Sequence, residues 1–369
     1  MTPASTSARL VSTAGYSLIE MMIAMGLMTV VMGATLGSLS DVVKWNDAVV
    51  SLTTMNDSLR SGMDLMVRDL LQVGSGLPPG HNVTIPHGDG AVRLRLPGPP
   101  GSAFETAAGA TSIPAVIPWP GGGPQVNGVA TDVLTVLMAD NTFLDVALTA
   151  VTATTVSIAA GPVLDAGPDR VTPGQLMMVT KGSQVALVQV TDVDTATRTL
   201  TFAAGDSLNL NQPDADNGTL DALDDAAPAQ TPASTFVSRL RMITYYIDAI
   251  TDASHPRLVR RVNNGHPTAF NNTLGTAVAH DMASLQLTYD ISNGTNNPGN
   301  IEMTDSDTTT TTTCTGSPCA ATQIRKVNLQ LTGRSRNAAN TKQRVFHNTL
   351  TSQVALRGMA FVDEYRSEF

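Results

Sequence analysis

The chain has 369 residues, a formal net charge of −9 and two cysteines. That acidic balance excludes nucleic-acid binding driven by the charge of the whole chain. The length is sufficient for a sizeable folded core. Met1 to Ala14 is rich in Ser, Thr and Ala and carries one basic residue, Arg9. One arginine is a weak positive-inside signal, and Lys44 on the far side of the next element opposes it. That element is an apolar run from Met21 to Leu39, introduced by Gly15-Tyr16-Ser17-Leu18-Ile19-Glu20. Between Tyr16 and Leu39 the sole ionisable side chain is Glu20. As a helix, Tyr16 to Leu39 reaches about 36 Å, enough to cross a bilayer core. A carboxylate four residues into such a span is costly unless a positive charge meets it at the same depth, which marks Glu20 as functional. Cutting the chain after Gly15 would supply that charge, as the new amino terminus of Tyr16.

Gly-aromatic-Ser-Leu-Ile-Glu ahead of an apolar helix resembles the class III signal of type IV prepilins and type II secretion pseudopilins. The resemblance implies that a membrane-bound prepilin peptidase cuts after Gly15 and N-methylates Tyr16. It also implies that Glu20 pairs with the terminal amine of a neighbouring subunit during filament assembly. The family's usual first residue is Phe, so Tyr16 is a mild departure. Two plainer readings compete. A secretory signal would be cut after the apolar run, near Ala34-Thr35-Leu36-Gly37, and a single-pass anchor would not be cut at all. Neither explains a glycine and a glutamate at this spacing before the span.

Beyond Leu39, Leu52, Met55, Leu59, Met63, Met66 and Leu70 recur at steps of three and four, which predicts that the helix continues as an amphipathic rod. Asp41, Lys44, Asp47, Asp57, Arg60, Asp64 and Arg68 supply its polar positions. Gly74-Ser75-Gly76-Leu77-Pro78-Pro79-Gly80 ends it. The organisation expected is a leader over 1–15 and one helix over 16–73, about 87 Å long. Residues 16–39 of that helix are transmembrane and 40–73 amphipathic. Gly26, Gly33 and Gly37 permit close helix approach.

From about Asn82 the composition turns to Gly, Pro, Thr and Val, and a β-rich head over 74–369 is expected, an α+β fold overall. Val92-Arg93-Leu94-Arg95-Leu96 alternates as a strand does. Loops are expected near 97–128, 205–233 and 292–322, the first an exposed Pro/Gly-rich connection. Strands are expected near Asp132–Met138, Asp145–Leu148, Thr155–Ile158, Leu176–Thr180, Val185–Thr191 and Thr199–Phe202. Later ones are expected near Leu240–Ile247, Arg257–Val262, Leu285–Tyr289 and Ile324–Leu331.

The head resembles that of large PilW-type minor pilins in several stretches. These are Val171–Leu176, Tyr245-Tyr246-Ile247 with Pro256–Arg260, His280–Tyr289, Ile324–Arg334 and Val354-Ala355-Leu356-Arg357. This likeness implies a non-enzymatic minor subunit that helps initiate or cap a pilus. Its partners would be other minor and major pilins, the prepilin peptidase, the inner-membrane assembly platform and, before assembly, the lipid bilayer. The chain would cross the cytoplasmic membrane once, with the head outside, and then enter a pilus or pseudopilus at the cell surface. Family members at the extreme tip tend to lack the glutamate, so Glu20 places this subunit below another. A J-type pseudopilin of type II secretion and a pilus-associated adhesin are the alternatives.

Cys314 and Cys319 bracket Thr-Gly-Ser-Pro. In an oxidising compartment they would close a small disulfide loop worth about 2 kcal/mol; free thiols are one alternative, and redox catalysis, which usually has two intervening residues rather than four, is the other. No Cys or His lies nearby in sequence to complete a metal site. Thr308 to Thr313 before them is of low complexity. Asp214-Ala215-Asp216-Asn217-Gly218-Thr219-Leu220-Asp221, with Asp224 and Asp225, alternates carboxylates around a glycine as calcium loops do. Its glycine comes one place early and no Glu closes it, so a calcium site on Asp214, Asp216, Asp221 and Asp225 competes with a solvated acidic loop. His81, His87, His255, His266, His280 and His347 fall in no catalytic spacing. The basic groups Arg257/Arg260/Arg261 and Arg325/Lys326/Arg334/Arg336 are expected to balance acidic neighbours or face a partner subunit.

Overall fold

A computed structural model describes residues 15–78, 80–102, 104–224, 235–263, 275–291, 300–301, 313–314, 317–318, 321–335 and 345–360. It opens with one unbroken helix, α1 (Leu18–Leu70), about 80 Å long at ~1.5 Å per residue. The Gly74–Gly80 signal does stop it: Leu71 is the C-cap, and Gly74 and Gly76 turn the chain with φ of 80° and 68°. The stripe read from the spacing is the face the helix buries. Met55, Leu59, Met63, Met66 and Leu70 are buried, and Leu52 packs partly against them. Gly62 lies on the same face because a β-carbon there would stand 3.0 Å from Ala279 Cβ and 3.1 Å from Leu258 Cδ2.

The head follows as strands. They are β1 (Asn82–Thr84), β2 (Ser112–Pro114), β3 (Val116–Trp119), β4 (Val133–Ala139), β5 (Val146–Val151), β6 (Thr155–Ile158), β7 (Leu176–Lys181), β8 (Gln184–Gln189), β9 (Asp192–Asp194) and β10 (Thr199–Thr201). A short helix, α2 (Leu220–Asp224), precedes β11 (Thr235–Asp248), β12 (Arg257–Val262), β13 (Gly275–His280), β14 (Met282–Ile291), β15 (Asn300–Ile301), β16 (Thr313–Cys314) and β17 (Ser317–Pro318). The described residues end with β18 (Ile324–Arg334), β19 (His347–Ala355) and α3 (Arg357–Ala360).

Strand β11 is the hub of the larger sheet. It pairs with β7 and β12 on one side and with β4 and β5 on the other, all antiparallel. Both faces of that sheet are covered, so β4 is buried at every position and β11 at nearly every one. Period-two alternation still sorts the side chains. Ile243, Tyr245 and Ile247 join the core under α1, whereas Leu240, Met242 and Tyr246 join a second core beneath β1, β2 and β3. A second sheet, in the order β15-β14-β18-β19, alternates cleanly: Leu285, Leu287 and Tyr289 with Val327, Leu329 and Leu331 face α1. Asp132 ties the two sheets together. Its N–H donates to Leu285 O at 3.0 Å, and its carboxylate accepts from Leu287 N at 2.7 Å and Gly121 N at 2.8 Å.

Two expectations are corrected. Val92–Leu96 is extended and buries Leu94 and Leu96, but it enters no strand ladder; Arg95 alone forms a bridge, to Glu105. Its backbone is satisfied instead by flanking loops, through Arg95 N to Leu208 O and Leu96 N to Phe104 O. The stretch 97–128 is not an exposed loop. It contributes β2, β3 and the buried Phe104, Ile113, Val116, Ile117 and Val126, with Phe104 stacked on Trp119 at 4.3 Å. Within 205–233 the described part buries Leu208, Leu210 and Leu220 and forms α2. Most of 292–322 lies outside the described residues.

Candidate functional site at the start of the long helix

Gly15 and Tyr16 precede the helix, and Tyr16 is 88% exposed. Ser17 adopts an extended backbone, φ −75° and ψ 150°, and is the N-cap. Its hydroxyl accepts from Glu20 N at 3.3 Å, while Glu20 Oε2 accepts from Ser17 N at 2.9 Å. This reciprocal capping box satisfies two helix-end N–H groups. It also holds the Glu20 carboxylate on the positive end of the helix dipole, one peptide from the Tyr16 nitrogen. Glu20 is thus already turned back toward the atom that cleavage after Gly15 would convert to an amine.

Behind it, Leu18 to Leu39 is exposed throughout, and after Glu20 it carries no charged side chain. The few hydroxyls in this run satisfy themselves within the helix. Thr29 donates to Met25 O at 2.8 Å, Thr35 to Met32 O at 2.9 Å and Ser38 to Ala34 O at 3.1 Å. A helix with no polar group left over is compatible with hydrocarbon. Gly26, Gly33 and Gly37 fall on one flank, and nothing lies within 4 Å of a β-carbon built at any of them. The last two have the small-xxx-small spacing that lets two helices approach closely.

At the other end of α1, a carboxylate set among the apolar residues of the stripe fixes the helix to the head. Asp69 is 4% exposed, and its Oδ2 accepts from Tyr245 Oη at 2.6 Å and from Arg260 Nε at 2.6 Å. Burial, then the Asp69 contact, pushes the Tyr245 hydroxyl pKa well up. Burial of Arg260 works the other way, yet the bond and charge of Asp69 outweigh it and raise the guanidinium pKa. The signal was present in the spacing: Asp69 stands three residues after Met66 and seven after Gly62, on the buried stripe itself.

Several basic residues balance acids within the head. Arg257 reaches Asp248 at 2.9 Å, Arg260 reaches Asp69, and Lys326 lies 3.5 Å from Asp290. Arg261 is wholly buried, donates Nη1 to Gly98 O at 3.1 Å, and has its pKa lowered by burial. His255 Nδ1 lies 2.7 Å from Asp281 Oδ1.

The acidic stretch is only partly described. Asp216 Oδ2 accepts from Asp89 N at 2.8 Å, pinning the 214–218 turn to the 87–90 turn, and Asp221 lies in the first turn of α2. Asp225 lies outside the described residues, and among those described no group of three or more His, Cys, Asp or Glu is placed to hold a metal. Cys314 has its backbone in β16; its side chain and all of Cys319 lie outside the described residues.

Residues 12–36 match a family model described as the prokaryotic N-terminal methylation motif. No curated protein and no solved structure matches the chain. The match covers Gly15, Tyr16, Glu20 and most of the exposed apolar run, and it implies processing by a peptidase and assembly with other subunits of the same kind. A prepilin-type motif directly ahead of a long apolar helix, with a β-rich head behind it, supports placing this chain in the type IV pilin and pseudopilin class.

Proposed function

We propose that this protein is a minor type IV pilin, a structural subunit that helps start or cap pilus assembly. It is cut after Gly15, N-methylated on Tyr16 and held in the cytoplasmic membrane by Leu18–Leu39 with the head outside. The carrying observation is Glu20. It is the one side chain between the cut and Asp41 that carries a charge at neutral pH, and it sits in the first turn of a helix otherwise fit for lipid. In a dry helix bundle such a carboxylate needs a cation, and the amine of an adjacent processed subunit supplies one at the same depth. As the pair leaves the bilayer together, two charges move as one neutral unit.

The test has two parts. Mass spectrometry of the mature chain should find it beginning at methylated Tyr16. The Glu20→Ala variant should be processed normally yet incorporated poorly into filaments. A mature protein beginning elsewhere overturns the processing; unchanged incorporation overturns the pairing. Deleting the gene distinguishes the two kinds of filament. Loss of pili supports the pilus role, and loss of exoprotein release with pili intact assigns the chain to a type II secretion pseudopilus.

A further inference from the structure

The helix leaves the head before it reaches the membrane run, and its short neck carries exposed apolar residues. Trp45 is 73% exposed, and Val49 is also exposed. Trp45, Val49, Leu52 and Asn56 recur at i, i+4, i+7 and i+11, so they share one flank of α1. That flank faces β19, because Asn56 Oδ1 accepts from Asn348 Nδ2 at 2.6 Å. Strand β19 and the residues after it then climb alongside the helix, and Gly358 packs against the backbone of Val73 and Ser75. Residues just before Asn348 must therefore lie on the opposite, membrane-proximal side of the head. Those residues are Val345 and Phe346, 43% and 39% exposed. Phe346 is held there by two hydrogen bonds with Ser335: Ser335 N donates to Phe346 O at 2.8 Å, and Phe346 N donates to the Ser335 hydroxyl Oγ at 2.9 Å.

The depth along the helix agrees with that placement. Glu20 to Asp41 is about 32 Å at ~1.5 Å per residue, close to the ~30 Å of a hydrocarbon core. The Asp41–Lys44 ion pair, 3.6 Å apart, then falls at the outer headgroups, and Trp45 is the next residue. A tryptophan at that level is where its apolar ring and N–H are both satisfied.

We propose that Trp45 and Val49 of the neck, with Val345 and Phe346 of the head, form one apolar rim that rests in the outer lipid–water interface before assembly, seating the head on the membrane. This rests on the reading of Leu18–Leu39 as the membrane span. The occupant is lipid rather than a second copy of the chain, because four side chains make a patch far below the area a stable dimer needs. The patch is also continuous with a segment already in the bilayer.

The chain has two tryptophans, so Trp119→Phe leaves Trp45 as the sole emitter, with the replacement ring still able to stack on Phe104. The full chain is reconstituted in phosphatidylcholine vesicles carrying bromine either high on the acyl chains or near the bilayer centre. The shallow bromine should quench Trp45 about twofold or more beyond the deep one, and acrylamide should quench it poorly. A second variant, Trp45→Phe/Trp119→Phe/Phe346→Trp, should behave the same way and report the head's side of the rim. Floating vesicles whose probe is quenched freely by acrylamide and by neither bromine would refute the seating while leaving the span intact. A probe shielded from all three quenchers in a chemically crosslinkable dimer would refute lipid as the occupant. A chain that does not float with vesicles at all would refute the span, and this inference with it.

Discussion

Asp69→Leu tests whether one buried carboxylate fixes the helix to the head. The substitution removes the acceptor of two bonds, each 2.6 Å, and leaves the Tyr245 hydroxyl and the Arg260 guanidinium without it. Tyr245 is 1% exposed and Asp69 4%, so water cannot readily replace the carboxylate. Removing one partner of a buried pair costs about 3–5 kcal/mol, because the remaining charge stays desolvated. For a head of this size that corresponds to a fall in Tm on the order of 5–10 °C. Asp69→Asn keeps an oxygen acceptor and loses only the charge, so it should fall between wild type and Asp69→Leu. Thermal unfolding of the detergent-solubilised chain, followed by near-ultraviolet circular dichroism, reads the difference. Asp69→Leu/Arg260→Met should recover a large part of the loss, since the stranded cation is then gone. If Asp69→Leu unfolds within 1 °C of wild type, or the double variant is no better than the single, the clamp is not what holds the helix.

The Glu20→Gln variant separates helix capping from charge. Glutamine can accept from Ser17 N as glutamate does, so the helix start should survive, yet filament incorporation should fall as far as in Glu20→Ala. Normal incorporation of Glu20→Gln would show that the hydrogen bond, not the charge, is what assembly uses. Asp140 and Asp248 give the acid limb of stability. Burial would raise both pKa values, but bonds from Arg241 and Thr142 to Asp140, and from Thr251 and Arg257 to Asp248, hold them below the ordinary 3.8. Their contribution is therefore complete above about pH 4 and is lost as pH falls through the lowered values, so urea midpoints should be level from pH 7 to 5 and drop steeply by pH 3. A midpoint unchanged at pH 3 would contradict this. Gly62→Val should destabilise the chain by about 1–3 kcal/mol, because its methyls would enter space held by Ala279 and Leu258, and denaturant unfolding checks it.

The helix was the most legible part of the chain, because its two halves obey different solvents. Leu18 to Leu39 is apolar all round, as lipid or a filament core requires, and the Met55–Leu70 stripe is one-sided, as packing on a sheet requires. Strands buried on alternate faces or flanked by clear turns were also legible; Thr155–Ile158 and Arg257–Val262 have the expected bounds. The missed strands lack those signals for physical reasons. Strand β3 contains Pro118, which an edge strand tolerates because one row of N–H groups is unpaired there. Strand β19 is an edge among the described residues and faces solvent with Thr349, Thr351 and Gln353, leaving only Leu350 and Val354 as apolar marks. Strand β11 begins five residues earlier than expected, at Thr235, because its first half is held by pairing with β7 rather than announced by hydrophobic residues alone. Of the candidate site, Gly15, Tyr16 and Glu20 fall within one short motif, so the sequence alone can propose them. Asp69 depends on Tyr245 and Arg260, far away in sequence, and only its place on the stripe hinted at it.

The late position of β11 has a consequence for folding during synthesis. Strands β4, β5 and β7 cannot complete their ladders until the chain has been made through Tyr245, and the helix face at Met63 and Met66 waits longer, for β18. Contacts of such long range make for slow folding, with sticky surface on show in the meantime. With the head outside the membrane, as proposed, a chain stalled before β11 emerges would present an oily methionine ridge and unfinished ladder edges, the kind of surface that holding chaperones bind.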